Sequence, residues 1–360
     1  MYSIFNYEQL DNFRKDYKIQ PYRIRQIYHN IFKNSIINFW DMTDLPKEFR
    51  NELNNNFYIV SLYPQRILET ENTTKIAFKT KKWLTFETVI MYHKDKYLNN
   101  KINRITICLS SQIWCAVWCK FCVTWKMWFI DNLDWTEIIE QILRANNYIK
   151  NKYWKKEDWT LFKTRNVVFM WMGEPMLNYE NVKKSINFML DQKKLNLSKR
   201  HITISTSWII PWIKKLLNDN INVKLAVSLH SANQITREKI IPISSKYKLN
   251  DLMLLLDEYV KKTDNRIFYE YIMIDNLTDT KDEAKYLVKL LKNRLSHVNL
   301  IPYNENPVVD YKTSSWENII KFKEYLEKNW ITVTIRNTMW EEIKWACWQL
   351  WYENVKWNND

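Results

Sequence analysis

The sequence predicts an α/β protein: a partial (β/α)6 barrel with a small helical domain before it and a short β extension between the two. Three observations lead there. Strand and helix patterns alternate from Arg104 onward, which implies a parallel sheet covered by helices. Residues 1–57 carry helical periodicity alone. The side chains suited to chemistry fall just after predicted strands, where active sites assemble in parallel barrels.

Residues 1–57 are the predicted helical accessory domain, with apolar positions at helical spacing in Tyr7–Phe13, Tyr22–Phe32 and Leu45–Leu53. The middle segment is basic and amphipathic, a candidate RNA-facing helix whose plainer reading is a solvated face. Residues 58–103 form the β extension, because Lys75–Lys79 and Phe86–Met91 alternate apolar and polar. Lys94–Asn103 reads as a polar loop.

Residues 104–352 form the predicted barrel core, and 353–360 a tail. Its strands are Ile105–Leu109, Val167–Met172, Ile202–Ser205, Lys224–Leu229, Ile267–Ile274 and Val298–Ile301. Helices are expected at 136–150, 179–192, 210–218, 249–261, 280–293 and 316–328. Six strand–helix units fall two short of a closed eight-stranded barrel, so the barrel is expected to be partial. Lys150–Thr164 is a charged insertion on one connection.

The totals narrow the function. With 46% hydrophobic and 26% charged residues, the composition is that of a globular domain with a sizeable core. No apolar run approaches the roughly 18 residues of a membrane span. The start shows no basic region followed by an apolar one, so no signal peptide is expected. Five cysteines in such a chain point to a reducing compartment and to metal or redox chemistry, and the cytoplasm is the expected location. A net charge of +14 suggests an anionic partner, nucleic acid first, with a lysine-rich genome as the bland alternative.

One count is abnormal. At the usual frequency of about 7%, about 25 glycines are expected, yet the chain has 1, beside 19 tryptophans. Several tryptophans stand where backbone geometry asks for glycine. Trp330 follows a predicted helix, Trp83 sits between two strands, and Trp208 ends Thr203–Ser207. This pattern is the one expected if the source reads UGA as glycine. Not every tryptophan need be affected, and Trp40 reads as genuine.

The chemistry gathers at residues 108–129. Cys115, Cys119 and Cys122 form a C-x3-C-x2-C triplet, with Cys108 just before it and Cys347 far along the chain. Structural zinc sites use four ligands, usually as two separated pairs. An iron–sulfur cluster normally takes four cysteines, and three would leave one iron open to another molecule. After the later strands come Gly173 and Glu174, then Ser205, then Ser228, Leu229 and His230, and finally Asn304. Each has a dull reading as a cap, a turn or a packed histidine, and their joint placement on one rim is the signal.

The triplet, with Phe121 in its aromatic slot, resembles the signature of radical S-adenosylmethionine (SAM) enzymes. Within these, the chain resembles the RlmN/Cfr family of RNA methyltransferases from the N-terminal helices to about residue 352. With glycine restored at the suspect tryptophans, the pattern is carried by Ser110–Cys115, Val168–Pro175, Ile204–Trp208, Ala226–His230, Asn299–Asn304 and Ala346–Leu350. Thr124–Phe129 stands closer to the RlmN branch than to the Cfr branch.

The resemblance implies a radical SAM barrel in which Cys115, Cys119 and Cys122 hold a [4Fe-4S] cluster. Its open iron would chelate SAM, with Gly173, Glu174, Ser205, Ser228, Leu229, His230 and Asn304 holding the cofactor. It implies that Cys347 is methylated by one SAM. A radical from a second then takes hydrogen from that methyl group, and the carbon radical adds to C2 of an adenine. Glu87 would accept a proton, and Cys108 would release the adduct by pairing with Cys347. The implied substrates are 23S rRNA and tRNA, with flavodoxin or ferredoxin as electron donor and a monomer as the working form. Two alternatives stand beside this: methylation at adenine C8, and a non-catalytic iron–sulfur RNA-binding protein.

Overall fold

The computed structural model describes every residue except 96–100, 125–127, 154–162, 208, 307–308 and 337–360. In chain order come β1 (Tyr2–Ser3), α1 (Tyr7–Asp16), α2 (Pro21–Phe32), α3 (Lys47–Asn56), β2 (Phe57–Tyr58), β3 (Tyr63–Glu69), β4 (Thr73–Lys79), β5 (Thr85–Asp95) and β6 (Lys101–Cys108). Next are β7 (Gln112–Ile113), β8 (Asp131–Asn132), α4 (Trp135–Tyr153), β9 (Asn166–Phe169), α5 (Tyr179–Leu190), β10 (Ile202–Thr206), α6 (Ile210–Asn218) and β11 (Lys224–Ser228). The series ends with α7 (Gln234–Ile240), α8 (Leu249–Thr263), β12 (Ile267–Met273), α9 (Lys281–Leu291), β13 (Ser296–Pro302), α10 (Trp316–Lys328) and β14 (Val333–Ile335).

The first of two compact units comprises Met1–Ser110, Leu133–Val167 and Glu180–His201. Its N-terminal helices form where the periodicity put them. Asn6 caps α1 by accepting from Gln9 N, and Pro21 opens α2, where a missing N–H costs nothing. Phe5, just before α1, stacks on Phe32 of α2 at 6.0 Å and meets Phe188 of α5 edge-on at 5.2 Å.

Strands β3 to β6 are antiparallel neighbours, with Ala77 opposite Glu87 and Val89 opposite Cys108. The predicted strand Ile105–Leu109 thus begins earlier, at Lys101, and the β extension runs into it without a break. Helix α4 reaches the sheet through Gln141, whose Oε1 accepts from Thr88 Oγ1 at 2.7 Å and from Ser110 N at 2.9 Å. The neighbouring Glu140 is fully buried and accepts from Ser61 N at 2.5 Å and Leu62 N at 2.9 Å. Burial pushes its carboxyl up to about 7, against the pull of those donors.

The second unit comprises Ser111–Asn132, Val168–Tyr179 and the chain from Ile202. Strands β10 to β14 are all parallel, paired in chain order. Parallel strands need long crossovers, and α8, α9 and α10 supply them as buried-faced helices. Thr280 caps α9 and Ser315 caps α10, so the predicted helices 280–293 and 316–328 appear at Lys281–Leu291 and Trp316–Lys328. Helix α7, which no periodicity announced, spans seven residues and is capped by Asn233 accepting from Ile235 N and Thr236 N.

Among the described residues, twelve other than glycine have positive φ, and four of these are tryptophan: Trp83, Trp114, Trp128 and Trp330. Trp83 closes the turn between β4 and β5, its N–H donating to Thr80 O. Trp330 follows α10, its N–H donating to Glu327 O. Trp208 lies outside the described residues. No described helix is long and apolar enough to cross a membrane.

Glu140 gives the fold a pH signature. A carboxyl whose folded pKa lies above its unfolded value binds more protons when folded. Its contribution is therefore complete below about 4.5 and lost as pH rises through about 7. The gap corresponds to about 3 kcal/mol. Denaturant unfolding at pH 5 and pH 8 should show this decline, and Glu140→Gln should flatten it.

Candidate active site

Within the second unit, the ends of three strands and one loop enclose a cavity of about 90 Å3. The loop contributes Cys115, Cys119 and Cys122, β9 leads to Gly173 and Glu174, β10 ends at Ser205, and β11 ends at Ser228 with His230 beyond it. All of these were candidates from the sequence. The structure brings them onto one wall.

The turn after β9 sets the geometry. Gly173 has φ +91°, and a Cβ there would lie 2.4 Å from Gln112 Cβ and 2.8 Å from Gln112 N, so only glycine fits. This closeness lets Ser111 N donate to Met172 O at 2.9 Å, and lets Gln112 Oε1 accept from Glu174 N at 2.8 Å. The Glu174 carboxylate accepts from Met176 N at 3.0 Å, and from both Ser207 N and Ser207 Oγ at 2.7 Å. Burial raises its pKa and these donors oppose the rise.

His230 is buried in a left-handed conformation, with φ +58°. Its Nδ1 accepts from Ile272 N at 3.1 Å, which leaves the ring proton on Nε2. Burial and the nearby Arg237 charge push its pKa down to about 3, so the ring is neutral at physiological pH. Its ring meets Phe121 of the thiol loop edge-on at 4.8 Å. Lys120 N donates to Ile240 O at 2.8 Å, seating the loop on the end of α7.

Burial pushes the Cys115 and Cys119 thiols well above the ordinary thiol range, and the charges of the neighbouring thiols push the same way. Cys122 lines the same cavity, and thiols gathered there are matched by a cation or a cationic cluster, which holds them as thiolates. Among the described residues, no three acidic, histidine or cysteine side chains converge as a single metal ion requires. Thiols spread along a cavity wall suit a cluster in which each binds a different iron. The donor set therefore fits an iron–sulfur cluster. The volume is tight, with Trp171 also in the wall.

The remaining candidates lie elsewhere. Leu229 is fully buried and offers its carbonyl to Arg237 Nε at 3.1 Å, so its side chain is no part of the cavity wall. Asn304 lies two residues past β13 and does not line the cavity. Glu87 and Cys108 belong to the first unit, both buried and on one face of its sheet, as the pairing of Val89 with Cys108 requires. Cys347 falls outside the described residues.

Ser207 and Arg237 were not anticipated. The run Ser205-Thr-Ser207 at a strand end was the available hint for the first. For the second there was only an arginine seven residues after His230.

A parallel strand–helix array carrying three thiols and a Gly-Glu-Pro turn at its C-terminal rim is the arrangement that the resemblance to radical SAM enzymes implies. The crystal structure of a radical SAM methyltransferase from Sphaerobacter thermophilus superimposes with a TM-score of 0.85 at 32% identity, covering 96% of this chain and 97% of that one. Residues 4–59 match the ribosomal RNA large subunit methyltransferase N-terminal domain. The probable dual-specificity RNA methyltransferase RlmN of Dictyoglomus turgidum is 38% identical over 346 residues, 96% of this chain and 95% of its own. The dual-specificity RNA methyltransferase RlmN of Campylobacter hominis is 37% identical over 345 residues, 94% of each chain. The chain belongs to the RlmN family of RNA methyltransferases, and as such it is an RNA-modifying enzyme whose family implies SAM and an iron–sulfur cluster.

Because Gly173 combines positive φ with backbone contact, Gly173→Ala should lower the unfolding free energy by about 3 kcal/mol. Urea denaturation measures it.

Proposed function

We propose that the protein methylates C2 of an adenosine in 23S rRNA, and also in tRNA, by way of an S-methyl group on Cys347. The observation that carries the reading is the convergence of Cys115, Cys119, Cys122, Glu174 and His230 on one cavity. Cys115, Cys119 and Cys122 would hold a [4Fe-4S] cluster, with Gly173, Glu174, Ser205, Ser228 and His230 beside bound SAM and Leu229 and Asn304 in support. Bound there, cluster and SAM supply a carbon radical able to take hydrogen from an S-methyl group, given an electron from a donor such as flavodoxin or ferredoxin.

The chain's own residues do the rest. Cys347 carries the methyl carbon to the ring. Adenine C2 is electron-poor and its C–H is not acidic, so a carbon radical adds there where polar methyl transfer would be slow. Glu87 would take the ring proton while the adduct's unpaired electron passes to the oxidised iron–sulfur cluster. Cys108 would then displace the product carbon from the Cys347 sulfur, forming the disulfide as that carbon takes up a proton. Neutral His230 and hydrogen-bonded Glu174 hold the cavity's shape without adding a mobile proton. The net charge of +14 suits a substrate bound by its phosphates. We place the enzyme in the cytoplasm as a monomer.

The test is to reconstitute the protein anaerobically, supply unmodified RNA and labelled SAM, and identify the nucleoside formed. 2-Methyladenosine is expected. 8-Methyladenosine alone, or no SAM cleavage under reductant, would overturn the reading. Cys347→Ala should abolish methylation while leaving the iron–sulfur absorbance intact.

A further inference from the structure

We propose that Lys75 is a positioning residue that keeps the Glu87 carboxylate ionised, ready to take a proton from the adenine ring. This rests on the role given to Glu87 above. Lys75 Nζ stands 3.0 Å from Glu87 Oε1, and the side chains are only 8% and 2% exposed. The register explains the pairing. Glu87 on β5 is opposite Ala77 on β4, and Lys75 is opposite Val89, so the two charges meet diagonally across adjacent strands. Val89 also faces Cys108 on β6, which puts Lys75, Glu87 and Cys108 on one face of the sheet.

A carboxylate buried this deeply and left alone would hold its proton and could not act as a base. An ammonium in contact reverses that preference. As scaffold, the pair is a poor bargain, because apolar residues of similar size usually serve a sheet interior as well as or better than a buried ion pair. The other titratable and charged side chains described on the same face are Lys79 on β4, Tyr63 and Arg66 on β3, His93 on β5 and Arg104 on β6, with the Cys108 thiol. His93 contacts Arg104 and Thr106. Helix α4 packs on the opposite face through Thr88 and Gln141. In this step the C–H bond of the ring adduct breaks, its electron pair stays with the ring and the proton moves to Glu87. The adduct's remaining unpaired electron goes to the one-electron acceptor named above, the oxidised iron–sulfur cluster.

The experiment compares RNA methylation across pH for the reconstituted parent enzyme, Lys75→Met, Lys75→Arg and Glu87→Gln. Lys75→Met should methylate about 10- to 100-fold more slowly at pH 7, with the acid limb of its profile moved up by at least about one unit. Formation of 5′-deoxyadenosine and methylation of Cys347 should stay at parent levels, since both precede the proton transfer. Lys75→Arg should restore the profile. If Glu87→Gln is inactive while Lys75→Met keeps the parent profile, the role of Lys75 is wrong. If Glu87→Gln methylates normally, the assignment of Glu87 itself fails. Should Lys75→Met not fold, Lys75→Gln gives the same comparison, keeping a donor without the charge.

A separate observation carries a second inference: we infer that the protein made by its source has glycine at positions 83, 114, 128, 171 and 330. Four of these tryptophans have φ between 53° and 63°, a region that asparagine and glycine enter readily and bulky residues rarely. Three are also largely solvent-exposed, Trp330 at 94%, Trp83 at 77% and Trp128 at 66%, so no burial offsets the strain. The fifth, Trp171, is buried in the wall of the cavity, whose 90 Å3 is well short of the roughly 300 Å3 or more of an ordinary small-molecule site. Glycine there opens the space that SAM requires.

Masses of peptides from the native protein decide the matter: glycine masses support the inference and tryptophan masses overturn it. In the recombinant, cluster-loaded chain, Trp171→Gly should tighten SAM binding by at least about tenfold in calorimetry, on the scale of one side chain's worth of lost steric conflict. Unchanged affinity would remove the argument from the cavity.

Discussion

The approach of Gln112 to Gly173 is the constraint on which the site depends. With no side chain at 173, two consecutive N–H groups of the incoming loop reach the Met172 carbonyl, and the Gln112 amide reaches back to Glu174 N. That contact fixes Glu174, which in turn holds Ser207 at the end of the next strand. The thiol loop leaves from Gln112 and Ile113, so its starting direction is set by the same few atoms. One missing Cβ thus aligns the loop with the ends of two strands.

The electrostatics of the cavity follow from its dryness. Burial raises the Cys115, Cys119 and Glu174 pKa values and lowers that of His230, and in each case it favours the neutral form. Arg237 is pushed the same way by burial and yet keeps its charge at neutral pH. It is fully buried, drawn down to about 9, and supported by the Ser228 and Leu229 carbonyls at 3.2 and 3.1 Å. A cation fixed beneath the His230 segment, with the Cys119 thiol favouring its charge, is suited to a wall that receives thiolates.

Much of the fold was legible because its signals are local. Helices α6 and α10 appear at the residues the periodicity gave, and the thiol triplet lies within eight residues of one loop. What escaped was non-local or too short. Helix α7 has only seven residues, less than a full hydrophobic repeat can mark. Ser207 matters because of a glutamate 33 residues earlier, a relation spacing does not encode. Glu87 takes a polar position on an alternating strand, yet it is buried. Alternation separates two faces of a sheet but does not say that both are covered.

The bridge that Gln141 makes to Thr88 and Ser110 has a consequence in time. These partners lie 53 and 31 residues away along the chain, so neither bond can form until α4 has been synthesised and has docked. During synthesis the cysteine loop, at 115–122, emerges before the helix that anchors the residue leading into it. The thiols are therefore presented on a loosely held loop first and locked at its root afterwards. The root of the loop is thus closed by a helix that follows it in the chain.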